Sequence, residues 1–323
     1  MLSLYLHSPS YPYYILKVGR KLIHTSKKAN HLLIEVPEKW SKLTIEDLFK
    51  QYWQAPKKLI HEWRMSKEVT INNEQMPWST KLVKGEELSI PLFKNNAIEK
   101  VPPTNLHISI LYEDDHILIA NKPAQMDTHP SQEHDHKTLI NGVAYYLQQT
   151  GQNCMIKHIH RLDKDTTGAV LFAKNRLAGS MLDKMLEERK IKRTYYALVE
   201  GIMKLNQGTV QEKIGRDRHH ATRRRVSPTG QTARTNYQVL QRYPDQNRTL
   251  VSCTLESGRT HQIRVHFSHI HHPLAGDTLY GGKRTFPRQA LHARKIEFIH
   301  PITEEKIVCI APFLDKPAIF PHI

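Results

Sequence analysis

The densest run of chemically capable side chains is His160-Arg161-Leu162-Asp163-Lys164-Asp165-Thr166-Thr167-Gly168, which leads straight into the apolar stretch Ala169 to Ala173. Charged and turn-forming residues packed directly against an apolar strand place two carboxylates on a loop anchored by the core. A carboxylate held there can act as a nucleophile or take a proton. Without further context, Asp165 to Gly168 equally fits an Asx or Thr turn closing into the strand. A second pattern lies at Ser257-Gly258-Arg259-Thr260-His261-Gln262-Ile263-Arg264-Val265-His266. Its alternation predicts a strand over Thr260 to Phe267, with Ile263, Val265 and Phe267 on the core face and Gln262, Arg264 and His266 on the other. Two opposite charges about 4 Å apart interact by roughly 4 kcal/mol at an effective dielectric near 20, so an arginine such as Arg264, if brought that close to a carboxylate such as Asp163, would hold it ionised against burial. The alternative for that face is ordinary solvated polarity.

The elements that must position these groups can be read around them. Strands are suggested at Ile117 to Asn121, Gly168 to Lys174, Tyr195 to Glu200, Tyr237 to Gln241 and Leu250 to Leu255, and helices at Lys137 to Gln149 and Leu177 to Lys190. Strands outnumber helices without alternating one for one, which predicts an α+β fold with a mixed, mainly antiparallel sheet. Asn95 to Asn105, containing Pro102-Pro103, lacks apolar periodicity and reads as a linker over 96 to 105. It divides an N-terminal region, 1 to 95, from a larger domain, 106 to 323.

Within the N-terminal region, residues 1 to about 40 fit either a short strand pair or an ordered arm. Thr44 and Asp47 resemble a capping box opening a helix. Pro56 fits the first turn of a second helix carrying Lys57, Lys58 and Arg64, and Val69 to Ile71 reads as a strand turning at Asn72-Asn73. A last strand is expected at Leu88 to Leu92.

Lys and Arg total 47 against 31 Asp and Glu, a formal charge of +16, so a polyanionic partner is expected. The segment Arg216 to Arg225 concentrates that charge in Arg216, Arg218, Arg223, Arg224 and Arg225 and predicts a hairpin or loop touching phosphates. No run of 18 apolar residues occurs, which argues against a membrane span, and no signal-peptide h-region is visible. The three cysteines, Cys154, Cys253 and Cys309, have neither metal nor redox spacing, and a reducing cytoplasm is the simplest setting. The 21 histidines include neighbours such as His158 and His160, or His269, His271 and His272, but these lack a matching set of further ligands, so no metal is expected.

The loop around Asp163 resembles the signature of the RluA family of pseudouridine synthases, in which the Asp of His-Arg-Leu-Asp is the catalytic carboxylate. Two more blocks are similar, in the family's order. Arg193-Thr194-Tyr195-Tyr196-Ala197-Leu198-Val199-Glu200-Gly201 matches the block that supplies a base-stacking tyrosine, which implies that role for Tyr195. In the Ser257 to His266 block the second arginine meets the catalytic carboxylate, which implies Arg264. The likeness covers about residues 106 to 310, including Asn121-Lys122-Pro123, Gly230 to Thr235, Pro273 to Asp277 with Tyr280-Gly281, and Leu291-His292-Ala293. By the same register Leu291 would floor the base. Further candidates for RNA contact are His160, Arg161 and Lys192, with Arg193 beside it. Gln125 stands where the family usually has Gly; a residue with a Cβ is expected to avoid positive φ, so this loop should bend differently. The two helices and small strands from about 41 to 95 resemble the alpha-L RNA-binding motif, without its Arg-Leu-Asp opening and with Pro56-Lys57-Lys58 near its usual Ser-Arg.

The resemblance implies isomerisation of a uridine in ribosomal or transfer RNA to pseudouridine. The base is cut from the ribose, turned and rejoined through a ring carbon, which needs no cofactor. A monomer without an obligatory protein partner is expected. Two alternatives remain: an inactive RNA-binding protein of the same fold, and a metal-dependent nuclease built on Asp163 and Asp165.

Overall fold

In the computed structural model, residues 3–4, 15–18, 22–93, 101–132 and 134–320 are described. Two short strands, β1 (Ser3–Leu4) and β2 (Ile15–Val18), open the chain. An N-terminal unit follows: β3 (Thr25–Lys28), β4 (His31–Glu35), α1 (Ile45–Asp47) running on into a wider π turn at Leu48–Tyr52, α2 (Lys57–Ser66), β5 (Thr70–Ile71), β6 (Glu74–Gln75) and β7 (Glu87–Ile90). Its five strands are ordered β3-β4-β7-β5-β6. The capping box forms: Asp47 N–H donates to Thr44 Oγ1 at 3.0 Å while Thr44 N–H donates to the Asp47 carboxylate at 3.2 Å. Pro56 is the residue just before α2, not inside its first turn, with extended ψ of 133°. Asn72 and Asn73 both have positive φ, as the tight turn between β5 and β6 requires.

The larger unit contains β8 (Ser109–Glu113), β9 (Ile117–Lys122), α3 (Leu139–Gln149), β10 (Lys157–His158), β11 (Thr167–Ala173), α4 (Arg176–Glu187), β12 (Lys192–Glu200), β13 (Gln207–Val210), β14 (Ile214–Arg216), β15 (Arg224–Val226), β16 (Thr235–Tyr243), β17 (Arg248–Leu255), α5 (Gln262–His269), β18 (Leu291–Ile299) and β19 (Lys306–Ile310). One path through its sheet runs β2-β19-β18-β12-β17-β16-β13, and β11 joins β18 to β9, β8 and β10. Every pairing is antiparallel except β11 with β18. The fold is therefore α+β with a mixed, mainly antiparallel sheet, as the element pattern predicts. β9 and β11 are buried along their whole length, which is why Ile117 to Ala120 and Ala169 to Ala173 read as apolar runs. Each large aliphatic side chain so buried contributes about 1.5–3 kcal/mol.

Three further sequence expectations change. The segment expected as a strand over Thr260 to Phe267 is the helix α5. Two of its polar side chains are consumed inside: Gln262 bonds Ser257, Arg259, Arg234 and Thr235, and His266 bonds Thr235 and Glu212. The first residues do not belong wholly to the N-terminal unit, since β2 pairs with β19 of the large sheet. The linker is tied down in its described half: Thr104 N–H donates to Asn141 O, and Asn141 Nδ2 donates to Pro102 O at 2.8 Å. The two units also share apolar packing, because Leu177 of α4 and Ile302 lie in the N-terminal core with Trp40, Phe49 and Trp53.

Candidate active site

Asp163 sits on the loop between β10 and β11, clamped on both sides. Leu162 N–H donates to Thr128 Oγ1, which donates back to Leu162 O, both at 3.1 Å. Lys164 O accepts from Lys122 Nζ at 2.8 Å and from Met126 N–H. Lys122 is fully buried and also donates to Pro123 O and Met126 O. Burial pushes its pKa down to about 7 against the pull of Asp163, Asp127 and Asp165. Where the loop enters β11, Gly168 has φ +114°, and a Cβ there would lie 2.3 Å from Ala293 O. No side chain fits, so the loop seats directly on β18.

The Asp163 Oδ2 atom lies 3.3 Å from Arg264 Nη1, a contact formed although the two are 101 residues apart. Arg264 reaches it from α5, not from a strand, and is itself fixed by Asp277: Nε and Nη2 donate to the two carboxylate oxygens at 2.7 and 2.9 Å. Burial opposes the guanidinium charge, but the bonds to Asp277 outweigh it and raise the arginine's pKa, so the cation is secure. Asp277 stands in the block Pro273 to Asp277, but the sequence attaches no role to it. The preceding Gly276, φ +80°, lies where a Cβ would meet Arg288 O at 2.0 Å, and so brings the backbone close enough for Asp277 to face α5.

Above the pair is a cleft of about 760 Å³, whose lining includes Asp163, Tyr195, Arg264 and Leu291. Tyr195 and Tyr196 point to opposite sides of β12. Tyr195 is buried in the core beneath the cleft, whereas Tyr196 packs near Phe313 on the other face. The register between β12 and β18 shifts between Thr194 and Tyr195, leaving Arg294 as the extra residue. Such bulges re-aim side chains beside functional sites. Burial raises the pKa of the Tyr195 hydroxyl, Arg193 opposing and Asp163 reinforcing, so the phenol keeps its proton at neutral pH.

The sequence-family comparison decides what this arrangement belongs to. A model described as RNA pseudouridylate synthase matches residues 116–269, and one described as the RluD ribosomal pseudouridine synthase N-terminal domain matches 32–88. An uncharacterized RNA pseudouridine synthase of Bacillus subtilis, YhcT, is 44% identical over 289 residues, covering 89% of this chain and 95% of that protein. This chain belongs to the RNA pseudouridine synthases. The ribosomal large subunit pseudouridine synthase D of Nitrosomonas europaea is 34% identical, covering 91% of this chain and 88% of its own. Among solved structures, human RNA pseudouridylate synthase domain containing 1 has a TM-score of 0.53 at 26% identity, over 67% of this chain and 86% of that one. The 32–88 match assigns the N-terminal unit to an RluD-type domain, so the synthase is of the RluA/RluD type.

The remaining sequence-derived residues of the synthase divide by place. His160 is buried below the loop, its Nε2 accepting from Leu171 N–H at 3.3 Å, and burial beside Arg193 drives its pKa down to about 3. It is neutral support for the loop. Arg161 is exposed and lines the cleft. Lys192, also exposed, starts β12 opposite Glu297 and is not among the cleft-lining residues, whereas its neighbour Arg193 is. β14 and β15 form the expected basic hairpin, with Arg216 and Arg225 exposed on it. Arg223 is spent on Asp217, with both Nε and Nη2 at 2.6 Å, so it is the least available of the group. Arg224 anchors the hairpin through its backbone N–H to Tyr280 Oη at 2.8 Å.

Gln125 corrects the loop expectation. It has φ +58°, so it adopts the left-handed conformation that Gly would favour. Its N–H donates to Asp165 Oδ1 at 3.2 Å, which shows how a strained backbone is retained. Two further residues line or roof the site without having been marked by the sequence reading: His261, 3.9 Å from Asp163 Oδ2, and Tyr280, whose ring lies 5.0 Å from the Arg264 guanidinium carbon. Among the described residues no cluster of three His, Cys, Asp or Glu is arranged to hold a metal ion, and no helix is long and apolar enough to cross a membrane.

Proposed function

We propose that Asp163 is the carboxylate that carries the uridine isomerisation, that Arg264 holds it in place and balances its charge, and that Tyr195 and Leu291 hold the detached uracil. The observation that carries this reading is the 3.3 Å contact between Asp163 and Arg264 in a cleft whose walls include a buried tyrosine. The reaction moves no electrons to or from another molecule and loses no atoms, so it needs an ionised carboxylate and a pocket that retains the free base long enough to turn. Arg264 suits the first need because Asp277 engages two of its donors and keeps it from following a substrate phosphate. Tyr195 suits the second because an aromatic face can stack on the uracil while the base turns within its own plane.

The substrate we infer is a uridine of ribosomal RNA from the large subunit, read in an unstacked segment. Support comes from the RluD-type N-terminal domain and from relatives named for that RNA. The net charge of +16 and the exposed Arg161, Arg216 and Arg225 supply phosphate contacts, and the exposed Lys57 and Lys58 of α2 extend them to the N-terminal unit. The synthase is read as a cytoplasmic monomer acting without cofactor, metal or obligatory protein partner. Mapping pseudouridine in total RNA from cells with and without the gene tests this. At least one large-subunit ribosomal uridine is expected to lose its modification; a change confined to transfer RNA would overturn the substrate assignment.

A further inference from the structure

The two oxygens of Asp163 are not equivalent. Oδ2 faces Arg264 Nη1 at 3.3 Å and His261 Nε2 at 3.9 Å, and among the described residues no side chain or backbone group hydrogen-bonds Oδ1. His261 is itself held from behind. Its Nδ1 lies 2.8 Å from Tyr280 Oη, and that oxygen already accepts the Arg224 N–H at 2.8 Å. With the Arg224 N–H in one acceptor position, Tyr280 has its phenol proton to give to Nδ1; in that arrangement Nδ1 accepts and the imidazole proton stands on Nε2, facing Asp163.

The backbone supports this aim. His261 precedes α5 at φ +59° and ψ 20°, a left-handed conformation that turns the ring off the helix axis and over the loop. The ring stands edge-on to Tyr280 at 5.7 Å and 86°, and its side chain is only 13% exposed. The charged groups facing it are Asp163, Arg264, Asp277 and Arg224. Burial lowers its pKa, with Asp163 opposing and Arg264 reinforcing, which leaves a neutral imidazole at pH 7. A separation of 3.9 Å is too long for a hydrogen bond in the free enzyme, yet the carboxylate torsion of an aspartate is soft and such contacts tighten when substrate fills a site.

We propose that His261 is a positioning residue: with Arg264 it secures Oδ2 of Asp163 through its Nε2–H, Tyr280 locks the ring, and Oδ1 is left as the oxygen that meets the nucleotide. This rests on Asp163 being the reacting carboxylate. It also links the basic hairpin to the chemistry, because the hairpin's Arg224 N–H and His261 share the hydroxyl of Tyr280. Hairpin position and carboxylate orientation are thereby joined through two side chains, Tyr280 and His261.

The test uses the full chain. Nitrogen-15 NMR of labelled histidine, with the His261 signals identified by their loss in His261→Gln, is expected to show Nδ1 unprotonated and Nε2 protonated at neutral pH; the opposite tautomer overturns the proposal without reference to activity. Single-turnover rates at saturating enzyme and RNA dissociation constants are then compared. A misplaced catalytic group commonly costs about 10–100-fold in rate, so His261→Ala is expected to fall in that range with RNA affinity within about threefold, while His261→Gln, which restores a donor of similar reach, recovers to within about fivefold. Tyr280→Phe is expected to slow turnover and shift the His261 nitrogen signals. Equal rates for wild type and His261→Ala, or equal losses in the Ala and Gln variants, would contradict it. Turnover by Asp163→Asn near the wild-type rate would instead refute the assignment of Asp163, leaving the tautomer result to stand separately.

Discussion

Arg264 is bound more closely by Asp277 than by Asp163: two bonds of 2.7 and 2.9 Å to the first against one contact of 3.3 Å to the second. The arginine is thus a fixed part of the scaffold that presents one free edge to the loop carboxylate. A cation held in this way need not reorganise when the substrate arrives, which is where preorganised sites gain most.

Asp277→Asn tests that arrangement. The substitution keeps the shape of the side chain and one acceptor but removes the charge that balances a buried guanidinium. Breaking one partner of a buried pair costs about 3–5 kcal/mol, and the residual amide bond should hold the loss near the lower end. Urea unfolding should show that loss, and single-turnover activity should fall because Arg264 is free to tilt. Unchanged stability would mean that the pair is not coupled as described.

Gln125→Gly should behave in the opposite sense. Gln125 occupies φ +58°, where a residue with a Cβ is strained by about 1–2 kcal/mol, and Gly relieves that strain at some cost in unfolded-chain entropy. The expected net effect is a gain of about 0.5–1 kcal/mol with activity retained, since the Asp165 carboxylate bonds the backbone N–H, which Gly keeps. Destabilisation in thermal unfolding would show that the Gln125 side chain contributes contacts that outweigh the strain.

His292 makes stability depend on pH. It is completely buried beneath the site, its Nδ1 2.7 Å from Thr167 Oγ1 and its Nε2 3.1 Å from Ala311 O, and burial pushes its pKa down to about 3. Arg288 also donates to that Thr167 hydroxyl, so the hydroxyl proton is directed at Nδ1 and there is no room for a second imidazole proton. The unfolded chain binds a proton near pH 6.5 and the folded chain does not, so this stabilisation is complete above pH 6.5 and is lost as pH falls toward 3. Within that window the slope is about 1.4 kcal/mol per pH unit. His292→Gln should flatten the pH dependence of urea unfolding by that amount; parallel curves would contradict a neutral His292.

Much of this is legible in the amino-acid sequence. Thr44 with Asp47 marks a real capping box, and the four-residue spacing of Leu139, Val143 and Leu147 finds α3 because all three side chains are buried on one line of that helix. The region around α5 misled for a physical reason. Ile263, Val265 and Phe267 alternate like a strand, yet Ile263 and Phe267 are also one helical turn apart, and every residue from Gln262 to Phe267 is buried. A helix buried all round has no polar face to betray its period. Pairing of β2 with β19 joins segments almost 290 residues apart, and no local pattern encodes that.

The site divides in the same way. Asp163 and Arg264 are recognisable from their blocks, and Tyr195 is distinguishable from Tyr196 by register. Asp277, His261 and Tyr280 were not singled out, because their roles lie in contacts to one another and to Arg224, made when the loop before α5, the 273–282 turns and the hairpin fold together. The positive φ of Gln125 was likewise hidden, since a strained residue is held by distant partners such as Asp165 and not by its neighbours in sequence.

Single-turnover release of tritium from the ring carbon of labelled uridine in RNA reports whether Asp163 carries the chemistry. Asp163→Asn keeps size and most hydrogen bonding but loses the charge, so release should fall to background. RNA affinity should stay within about tenfold, or roughly 1.4 kcal/mol, because the phosphate contacts lie elsewhere. Asp165→Asn is the control: it keeps an acceptor for Gln125 N–H and a carbonyl for Arg288 and should retain substantial activity. Release by Asp163→Asn near the wild-type rate would contradict the account, and loss confined to Asp165→Asn would move the catalytic role to the other carboxylate.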